Sequence, residues 1–345
     1  MIMLLFSGER REGDLAHWLY ALAWEAGFQI LVLTADLRED EGWDLACPKT
    51  FARLYQLCAE GLVDIIFGGP PCSTVSRARH NFIQGGPRPL RFRDCPWGRP
   101  DLTAAESALV ATANTLWINF LALSEAVVKA GGAYGLEHPA DPGVPPFASI
   151  FILPELLNLE TLAGAVRPSF DQCALGGLSK KPTEISGNIH GLTRLSASKC
   201  PGLSGQHVHH KSYGRNGCGG FHSKKLERYP AGLCKELASC VVETLAHYRN
   251  SFLGPTGALA DHQRRLKNRG SWSVPASESG PGIMLLNEAS AYGRRCLINE
   301  NMLAIYVHVD DHVILGHSPK AADELLKLHN RPQGLRNRKG SWLLA

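Results

Sequence analysis

One cysteine follows a short apolar run and a stiff turn in the segment Val63-Asp-Ile-Ile-Phe-Gly-Gly-Pro-Pro-Cys72. The apolar residues predict a buried strand, and the glycines and prolines end it abruptly. Because proline fixes φ and lacks a backbone N–H, this turn should hold Cys72 rigidly just beyond the carboxyl edge of a sheet. A thiol held in this way can act as a nucleophile. The alternative is a loop cysteine with no chemical role.

Charged side chains are predicted to lie near the same edge. Ser76-Arg77-Ala-Arg79 follows the cysteine closely. Further along the chain, the short apolar run from Ala133 to Leu136 predicts another strand, which leads directly to Glu137. A carboxyl group suited to acid–base work is therefore expected beside the thiol.

The elements that must position these groups alternate between strand and helix over the first 140 residues, as in an α/β fold with a doubly wound sheet. Strands are predicted at residues 3–6, 28–35, 63–67 and 133–136, and helices at 14–26, 51–60 and from the capping residue Asp101 to about 131. Beyond Pro146 the pattern is less regular. It predicts a helix at 153–162, an irregular basic window and a closing helix at 228–248.

The bulk composition is that of a globular protein, with 44% hydrophobic and 20% charged residues in a chain of 345. The ten cysteines are scattered, which favours reduced thiols over a disulfide framework. The apolar start is too short for a signal peptide, and no run approaches the length of a membrane span. We therefore expect an intracellular protein that does not enter a membrane.

The net charge of +4 is mild, but its distribution is uneven. Between Glu184 and Glu227 lie 42 residues without a carboxylate. The cations of this window are Arg194, Lys199, Lys211, Arg215, Lys224 and Lys225. Such a window suits a phosphate backbone. A zinc site is the alternative use of its ligand-type residues Cys200, His207, His209 and Cys218, whose spacing matches no recognised finger.

Taken together, these motifs resemble those of cytosine C5 DNA methyltransferases, and more closely the shortened versions carried by some eukaryotic mobile elements. The matching motifs cover residues 3–250 in the family's order. They are Leu4-Leu-Phe-Ser-Gly8, Asp36, Gly69-Pro-Pro-Cys72, Ser76-Arg77-Ala-Arg79, Glu137-His-Pro139, Asp171-Gln-Cys-Ala-Leu-Gly176, Lys180-Lys-Pro-Thr183 and Asn188. The resemblance implies an α/β fold with a Rossmann-like S-adenosylmethionine-dependent methyltransferase sheet, a small irregular basic recognition region and a C-terminal appendage.

The resemblance also implies roles for the residues. Cys72 would add as a thiolate to C6 of a cytosine flipped out of the duplex, and Glu137 would contact N3 of the same base. Arg77 and Arg79 would hold phosphates or the base oxygen, unless they form only a solvated basic loop. The further nucleic-acid contacts implied or expected are Ser76, Lys180, Lys181, Lys211 and Arg215.

The cofactor implied by the resemblance is S-adenosyl-L-methionine. Phe6, Ser7, Gly8 and Pro70 would line its site, Asp36 would accept hydrogen bonds from the ribose hydroxyls, and Asp44 would lie on the adenine side. Both aspartates have ordinary helix capping as the alternative. The first loop, Gly8-Glu-Arg-Arg-Glu-Gly13, departs from the family because the familiar members are dense in glycine there.

A second signature lies in the tail. The segment Ala304-Ile-Tyr-Val-His-Val-Asp310-Asp311-His-Val-Ile-Leu315 resembles the hairpin of reverse transcriptases, where paired aspartates hold magnesium ions. The alternative is an ordinary hairpin with an acidic turn. Residues 255–301 are too poor in strand signal to complete a polymerase, so the segment is interpreted as a fragment of a retroelement polyprotein, with Asp310 and Asp311 as weak metal candidates.

The sequence therefore predicts a DNA cytosine C5 methyltransferase that resides in the nucleus with its substrate. The expected division is a catalytic core at 1–150, a target-recognition region and closing helix at 151–250, a linker at 251–281 and a reverse-transcriptase-like fragment at 282–345. Three alternatives stay open: an RNA cytosine C5 methyltransferase, an inactive nucleic-acid-binding relic, and a nucleotidyltransferase centred on Asp310 and Asp311.

Overall fold

The structure is a computed structural model that describes most of the first 253 residues and four short strands beyond them. The described residues are 1–81, 86–202, 207–210, 212, 214, 220, 222, 226–253, 283–286, 295–299, 302–305 and 312–313, with side chains to residue 248. The predicted nucleic-acid contacts Lys211 and Arg215, and the predicted metal candidates Asp310 and Asp311, lie outside them.

A six-stranded mixed sheet forms the centre of the fold. Its strands are β1 (Ile2–Leu5), β2 (Val32–Ala35), β3 (Ile65–Gly68), β4 (Ala133–Pro139), β5 (Ser169–Asp171) and β6 (Pro182–Gly187). They lie in the order β2-β1-β3-β4-β6-β5. The first four run parallel, whereas β6 is antiparallel to β4 and β5 is antiparallel to β6. The predicted α/β class is confirmed, and the two antiparallel strands are an addition that the sequence did not predict.

Five helices cover both faces of the sheet. They are α1 (Leu15–Glu25), α2 (Pro48–Ala59), α3 (Ala104–Lys129), α4 (Pro154–Ala163) and α5 (Ala231–Leu253). Side chains alternate between the faces of a strand, so Ile2 and Leu4 pack with α1 and α5, whereas Met3 and Leu5 pack with α2, α3 and α4. The result is three layers with an apolar core on each side of the sheet.

The long helix α3 begins two residues later than predicted. Thr103, and not Asp101, is its N-cap: the Thr103 side chain accepts from Glu106 N, and the Glu106 carboxylate accepts from Thr103 N in a capping box. Asp101 instead pairs with Arg88 and Arg99. By length and by its mean hydropathy of 1.3, α3 would also suit a membrane span, a property shared by core helices.

The chain order creates a crevice at one edge of the sheet. From β1 the chain moves to β2 on one side, and it then returns to β3 on the other side of β1. Loops that leave the carboxyl ends of β1 and β3 therefore diverge, and ligands of open α/β sheets bind at such points. The first loop and the turn that carries Cys72 both begin there.

The strand β4 is longer than predicted. It was expected to end at Leu136, but it continues to Pro139 because β6 pairs with it, with Glu137 opposite Ile185. Glu137 therefore lies inside a strand and does not follow one. The predicted division at residue 150 also falls within one sheet, because β5 and β6 join the strands of the first 139 residues.

The tail contains four described strands. They are β7 (Ile283–Leu286), β8 (Arg295–Asn299), β9 (Met302–Ile305) and β10 (His312–Val313). Both β7 and β9 pair with β8 in antiparallel fashion, and β10 pairs with β8 in parallel. The segment predicted as a hairpin thus supplies two strands, and in the described part of the tail both pair with β8.

Candidate active site

The turn that carries Cys72 is hydrogen-bonded to a side chain of α3. The indole Nε1 of Trp117 donates to the carbonyl of Pro71 over 3.0 Å, and Val75 N donates to the carbonyl of Cys72 over 3.1 Å. Pro70 is buried and Cys72 is half-buried, with its side chain packed against the core. As predicted, the thiol lies just beyond the carboxyl end of β3, on a turn held by these hydrogen bonds.

A buried arginine supports the same turn. Arg91 donates to Thr74 Oγ1 over 2.9 Å and to Asn114 Oδ1 over 2.7 Å, and its guanidinium lies 4.3 Å from the ring centroid of Trp117. Burial lowers its pKa to about 10. This role could not be predicted, because residues 81–100 are rich in Gly, Pro and Arg and predict only an irregular loop.

The carboxylate of Glu137 is buried and surrounded by three donors. Tyr229 donates its hydroxyl to Oε2 over 3.1 Å, Gln172 Nε2 donates to Oε1 over 3.4 Å, and Lys181 Nζ lies 3.6 Å from Oε1. A buried carboxylate needs such partners because it has lost its water. The three donors come from separate segments of the chain, and together they fix both oxygens.

Gly69 connects this carboxylate to the turn that carries Cys72. A Cβ at Gly69 would lie 2.4 Å from the Tyr229 hydroxyl and 2.8 Å from Glu137 Oε2. Any larger residue would displace one of these groups, so the close approach requires glycine. The thiol responds to the same surroundings: burial raises the pKa of Cys72, while the nearby Lys181 ammonium lowers it and Glu137 raises it.

Two of the groups around Glu137 were not predicted from the sequence. Gln172 belongs to the block that carries the resemblance, although no role was assigned to it there. Tyr229 lies just before α5 and 92 residues from Glu137, and no local pattern marks it. Lys181 was expected to contact phosphate. Its backbone has a φ of +35°, a strained value for a residue with a side chain, and its carbonyl accepts from Thr183 Oγ1.

The polar residues after Cys72 differ in their exposure. Arg79 donates to the carbonyls of Ser73 and Arg88 over 2.6 and 3.2 Å, so its described bonds hold the loop itself. Ser76 Oγ accepts from Ala78 N as a cap. Arg77, by contrast, is exposed and lies 5.3 Å from the ring of Phe147. Of the two predicted arginines, Arg77 is the better available to an anion.

Cations also border a small cleft beside Glu137. The cleft is lined by residues from the turn after β5 and the segment before α5, among them Gln172, Lys181 and Arg228. Lys180 lies on the exposed side, with Nζ 3.9 Å from Asp171 Oδ2. Each of these three cations lies near a carboxylate: Lys181 near Glu137, Arg228 near Glu9 and Lys180 near Asp171.

The first loop brings the predicted cofactor residues together. Gly8 N donates to Asp36 Oδ2 over 2.7 Å, so the ends of β1 and β2 are joined directly. Phe6 has a φ of +57°, which is strained for an aromatic residue. The buried hydroxyl of Ser7 has no hydrogen-bond partner in the described part of the chain. An unpaired polar atom at this edge is the property expected of a ligand site.

The charged residues of the first loop pair with other parts of the protein. Arg10 Nε donates to Asp14 over 2.8 Å, Arg11 Nη2 donates to the carbonyl of Tyr229 over 2.6 Å, and Arg228 lies 3.2 Å from Glu9. Their side chains therefore fasten the loop. Asp14 also accepts from His17 N as the N-cap of α1, so a carboxylate already occupies that helix terminus.

Asp44 adopts a turn-forming arrangement. It is half-buried at the end of a short 3₁₀ turn, Glu41–Trp43, and its Oδ1 accepts from Ala46 N over 2.9 Å. This is a turn contact two residues along the chain; the N-cap of the next helix, α2, is Cys47, and the adenine-side role of Asp44 stays a prediction.

Comparison of the sequence with models of known protein families gives no match, and comparison with curated proteins gives none either.

Proposed function

We propose that this chain transfers a methyl group from S-adenosyl-L-methionine to C5 of cytosine in DNA, through a covalent adduct on Cys72. The observation that carries the proposal is the contact at Gly69, where the Glu137 carboxylate approaches the strand end three residues before Cys72. A thiol and a buried carboxyl group at one sheet edge are the pair that this chemistry needs. The parallel strands β2-β1-β3-β4, with helices on both faces, are compatible with a Rossmann-like methyltransferase sheet.

The thiol of Cys72 would act in the first step of the reaction, as the nucleophile. Its thiolate adds to C6 of the base and forms an S–C6 bond, which moves electron density to C5. After methylation, loss of the C5 proton and departure of the sulfur restore the free thiolate. The Lys181 ammonium favours the thiolate that both halves of this cycle require, although burial opposes it.

Glu137 has the second role. A carboxyl group that donates or shares a proton at N3 draws electron density out of the ring and makes C6 easier to attack. Tyr229 and Gln172 hold the carboxyl group still, so that it does not need to reorient when the base arrives. Such preorganisation is the main contribution that a rigid site makes to the rate.

The residues at the ends of β1 and β2 fit a nucleoside cofactor. Asp36 accepts from Gly8 N of the first loop and can accept further hydrogen bonds from ribose hydroxyls, and the buried Ser7 hydroxyl of the same loop has no partner among the described residues. When bound there, S-adenosyl-L-methionine supplies an electrophilic methyl group. Because Asp14 already caps α1, a carboxylate of the cofactor should bind to backbone groups of residues 6–8 and not to that helix terminus.

The substrate would be a flipped-out cytosine in DNA, with its phosphates on exposed cations. Arg77 and Lys180 are exposed, and Arg228 lines the cleft beside Glu137. These contacts would hold the backbone and carry no sequence information of their own. A DNA substrate implies a nuclear protein in a eukaryotic cell.

The experiment is methyl transfer from labelled S-adenosyl-L-methionine to duplex DNA and to RNA, with Cys72→Ala as the test variant and Cys95→Ser as the matched control. The proposal expects incorporation into DNA that falls at least a thousandfold in Cys72→Ala and persists in Cys95→Ser. DNA with 5-fluorocytosine should trap a denaturant-resistant adduct, because fluorine replaces the proton that must leave C5.

Two results would overturn the proposal. Incorporation into RNA alone would make the chain an RNA methyltransferase with the same active site. Binding of nucleic acid without incorporation, adduct or cofactor affinity would make it an inactive binding protein.

A further inference from the structure

Four metal-ligand side chains converge at a distance from the first loop. Cys173 lies on the 3₁₀ turn Gln172–Leu175 that follows β5, and Cys200, His207 and His209 lie after a second 3₁₀ turn, Leu192–Ala197. One donor atom of each lies within 4.8 Å of the other three. Cys173 is buried and the other three are half-buried.

Three of the six distances among these donors are given by close contacts, and the two sulfur–nitrogen distances match a tetrahedral site. Cys200 Sγ lies 3.5 Å from His207 Nε2 and 3.6 Å from His209 Nε2, and the two Nε2 atoms are 3.0 Å apart. A tetrahedral zinc ion with ordinary bond lengths separates sulfur from nitrogen by about 3.6 Å and nitrogen from nitrogen by about 3.4 Å. A hydrogen bond between the two rings would use only one pair of donors, whereas an ion uses all four.

The backbone around the ligands is held in place by hydrogen bonds. Asp171 Oδ2 accepts from Cys200 N over 2.9 Å, and Asp171 N donates to the carbonyl of Ser198 over 2.9 Å. On the far side, His210 N donates to the carbonyl of Leu178 over 2.7 Å, and Ser179 Oγ donates to the carbonyl of His210 over 2.7 Å. The ligand segment is thus fastened before and after the cluster, as expected when outer contacts orient metal ligands.

We propose that Cys173, Cys200, His207 and His209 bind one zinc ion that has a structural role. Two thiolates and two imidazoles are a zinc set, and they are too soft for magnesium or calcium. Four protein ligands leave no open position, so the ion would not activate water. The fourth ligand in this proposal is Cys173, and Cys218, which was considered from the sequence, lies outside the described residues.

The ion would stabilise the candidate active site indirectly. Cys173 follows Gln172, which donates to Glu137, and the same segment continues to Lys181, whose ammonium lies near both Glu137 and Cys72. A cross-link from Cys173 to the segment 200–209 would limit movement of both groups. This consequence rests on the proposed function, whereas metal binding itself does not.

The test measures metal content and needs no methyl transfer. The full chain, purified with zinc and then freed of loosely bound metal, should retain one zinc per chain. Cys173→Ser and His209→Gln should retain less than a tenth of that, and Cys218→Ser should retain all of it. Cobalt substitution in the wild-type chain should give the intense visible absorption of a tetrahedral thiolate site.

Measurements on the wild-type protein keep the test valid even if a variant fails to fold. Chelation should release its zinc and lower the Tm, and added zinc, but not magnesium, should restore both. A wild-type chain that retains no zinc and gives no tetrahedral cobalt spectrum would overturn the proposal. Zinc lost from Cys218→Ser but kept by Cys173→Ser would also overturn it. Loss of zinc together with intact methyl transfer would disprove only the link to the active site.

Discussion

The hydroxyl of Tyr229 donates to Oε2 of Glu137 over 3.1 Å, across 92 residues of sequence. The backbone carbonyl of the same tyrosine accepts a hydrogen bond from Arg11 Nη2 of the first loop over 2.6 Å. One residue therefore joins the loop expected to bind the cofactor to the carboxyl group expected to bind the base. Burial and the adjacent Glu137 charge raise the pKa of Tyr229, so its hydroxyl keeps its proton and stays a donor.

Tyr229→Phe should slow methyl transfer by about tenfold to a hundredfold, since it leaves one carboxylate oxygen without its buried donor. Single-turnover transfer at several pH values would measure the effect. Because the tyrosine acts by positioning Glu137, the pH profile should change together with the rate. Tyr55→Phe, which alters a tyrosine on the exposed side of α2, is the control. An unchanged rate and profile in Tyr229→Phe would contradict the role assigned to it.

Gly69→Ala should disable the site by steric conflict. The added Cβ would lie 2.4 Å from the Tyr229 hydroxyl and 2.8 Å from Glu137 Oε2, so one of them must move. We expect a loss of about a hundredfold in transfer rate while the fold survives.

The double variant Gly69→Ala/Tyr229→Phe tests the cause of that loss. Removal of the Tyr229 hydroxyl removes its close contact with the added Cβ. The double variant should therefore lose less transfer rate than the two single variants together would predict. Strict additivity, measured by the same single-turnover assay, would show that Gly69 and Tyr229 do not interact.

Much of the frame could be predicted because it depends on local patterns. Short apolar runs bounded by turn residues are enough to predict β1, α1 and the strand before Cys72. The strand β4 was predicted too short for a physical reason: Glu137-His-Pro139 is polar and ends in proline, so local propensity ends the strand at Leu136. Pairing with β6 overrides that propensity, and the pairing partner is not local.

The rest of the site depends on contacts between distant segments. The strand β5 has only three residues, and β6 contains Thr, Glu and Ser at paired positions, so neither carries an apolar run. Cys173 is more distant in sequence from His207 than Cys200 or Cys218 is, yet the turn after β5 brings it to the cluster. The sequence showed which residues are of metal-ligand type, but it could not show which segments of the chain would meet in the fold.

Lys181→Met should shift the reactivity of Cys72 to higher pH. The ammonium lowers the pKa of the thiol, so its removal leaves burial less opposed and raises that pKa further. At neutral pH a smaller fraction of the Cys72 side chains is then in the thiolate form. Alkylation of Cys72 should therefore slow by about tenfold. Mass spectrometry of the Cys72 peptide across a pH series, without nucleic acid, isolates this effect from any loss of binding.

Two variants sharpen the Lys181 test. Lys181→Arg keeps the charge and should retain most of the reactivity. Lys180→Met removes the neighbouring charge, which lies beside Asp171 and on the exposed side, and should leave the pH dependence of Cys72 alkylation unchanged. Equal shifts in Lys180→Met and Lys181→Met would mean that general charge, and not the Lys181 contact, controls the thiol.

A buried histidine next to Glu137 should make the fold sensitive to acid. The ring of His138 lies between Trp117 and Phe151, with edge contacts at centroid distances of 5.6 and 6.1 Å. Neither ring nitrogen has a hydrogen-bond partner among the described residues. Burial, with a smaller contribution from Lys181, lowers its pKa from 6.5 to about 3. The folded protein thus keeps this ring neutral where an unfolded chain would protonate it.

His138→Phe should therefore remove a part of the acid instability. Between pH 6.5 and about 3 only the unfolded chain binds this proton, so the free energy of unfolding falls as pH falls, by up to about 1.4 kcal/mol per pH unit. Urea unfolding from pH 7.5 to 4.5 should show a gap between variant and wild type that widens below pH 6.5. His17→Phe, which replaces an exposed histidine on α1, is the matched control. Parallel pH dependence of His138→Phe and wild type would mean that the folded state protonates His138 as readily as the unfolded chain does.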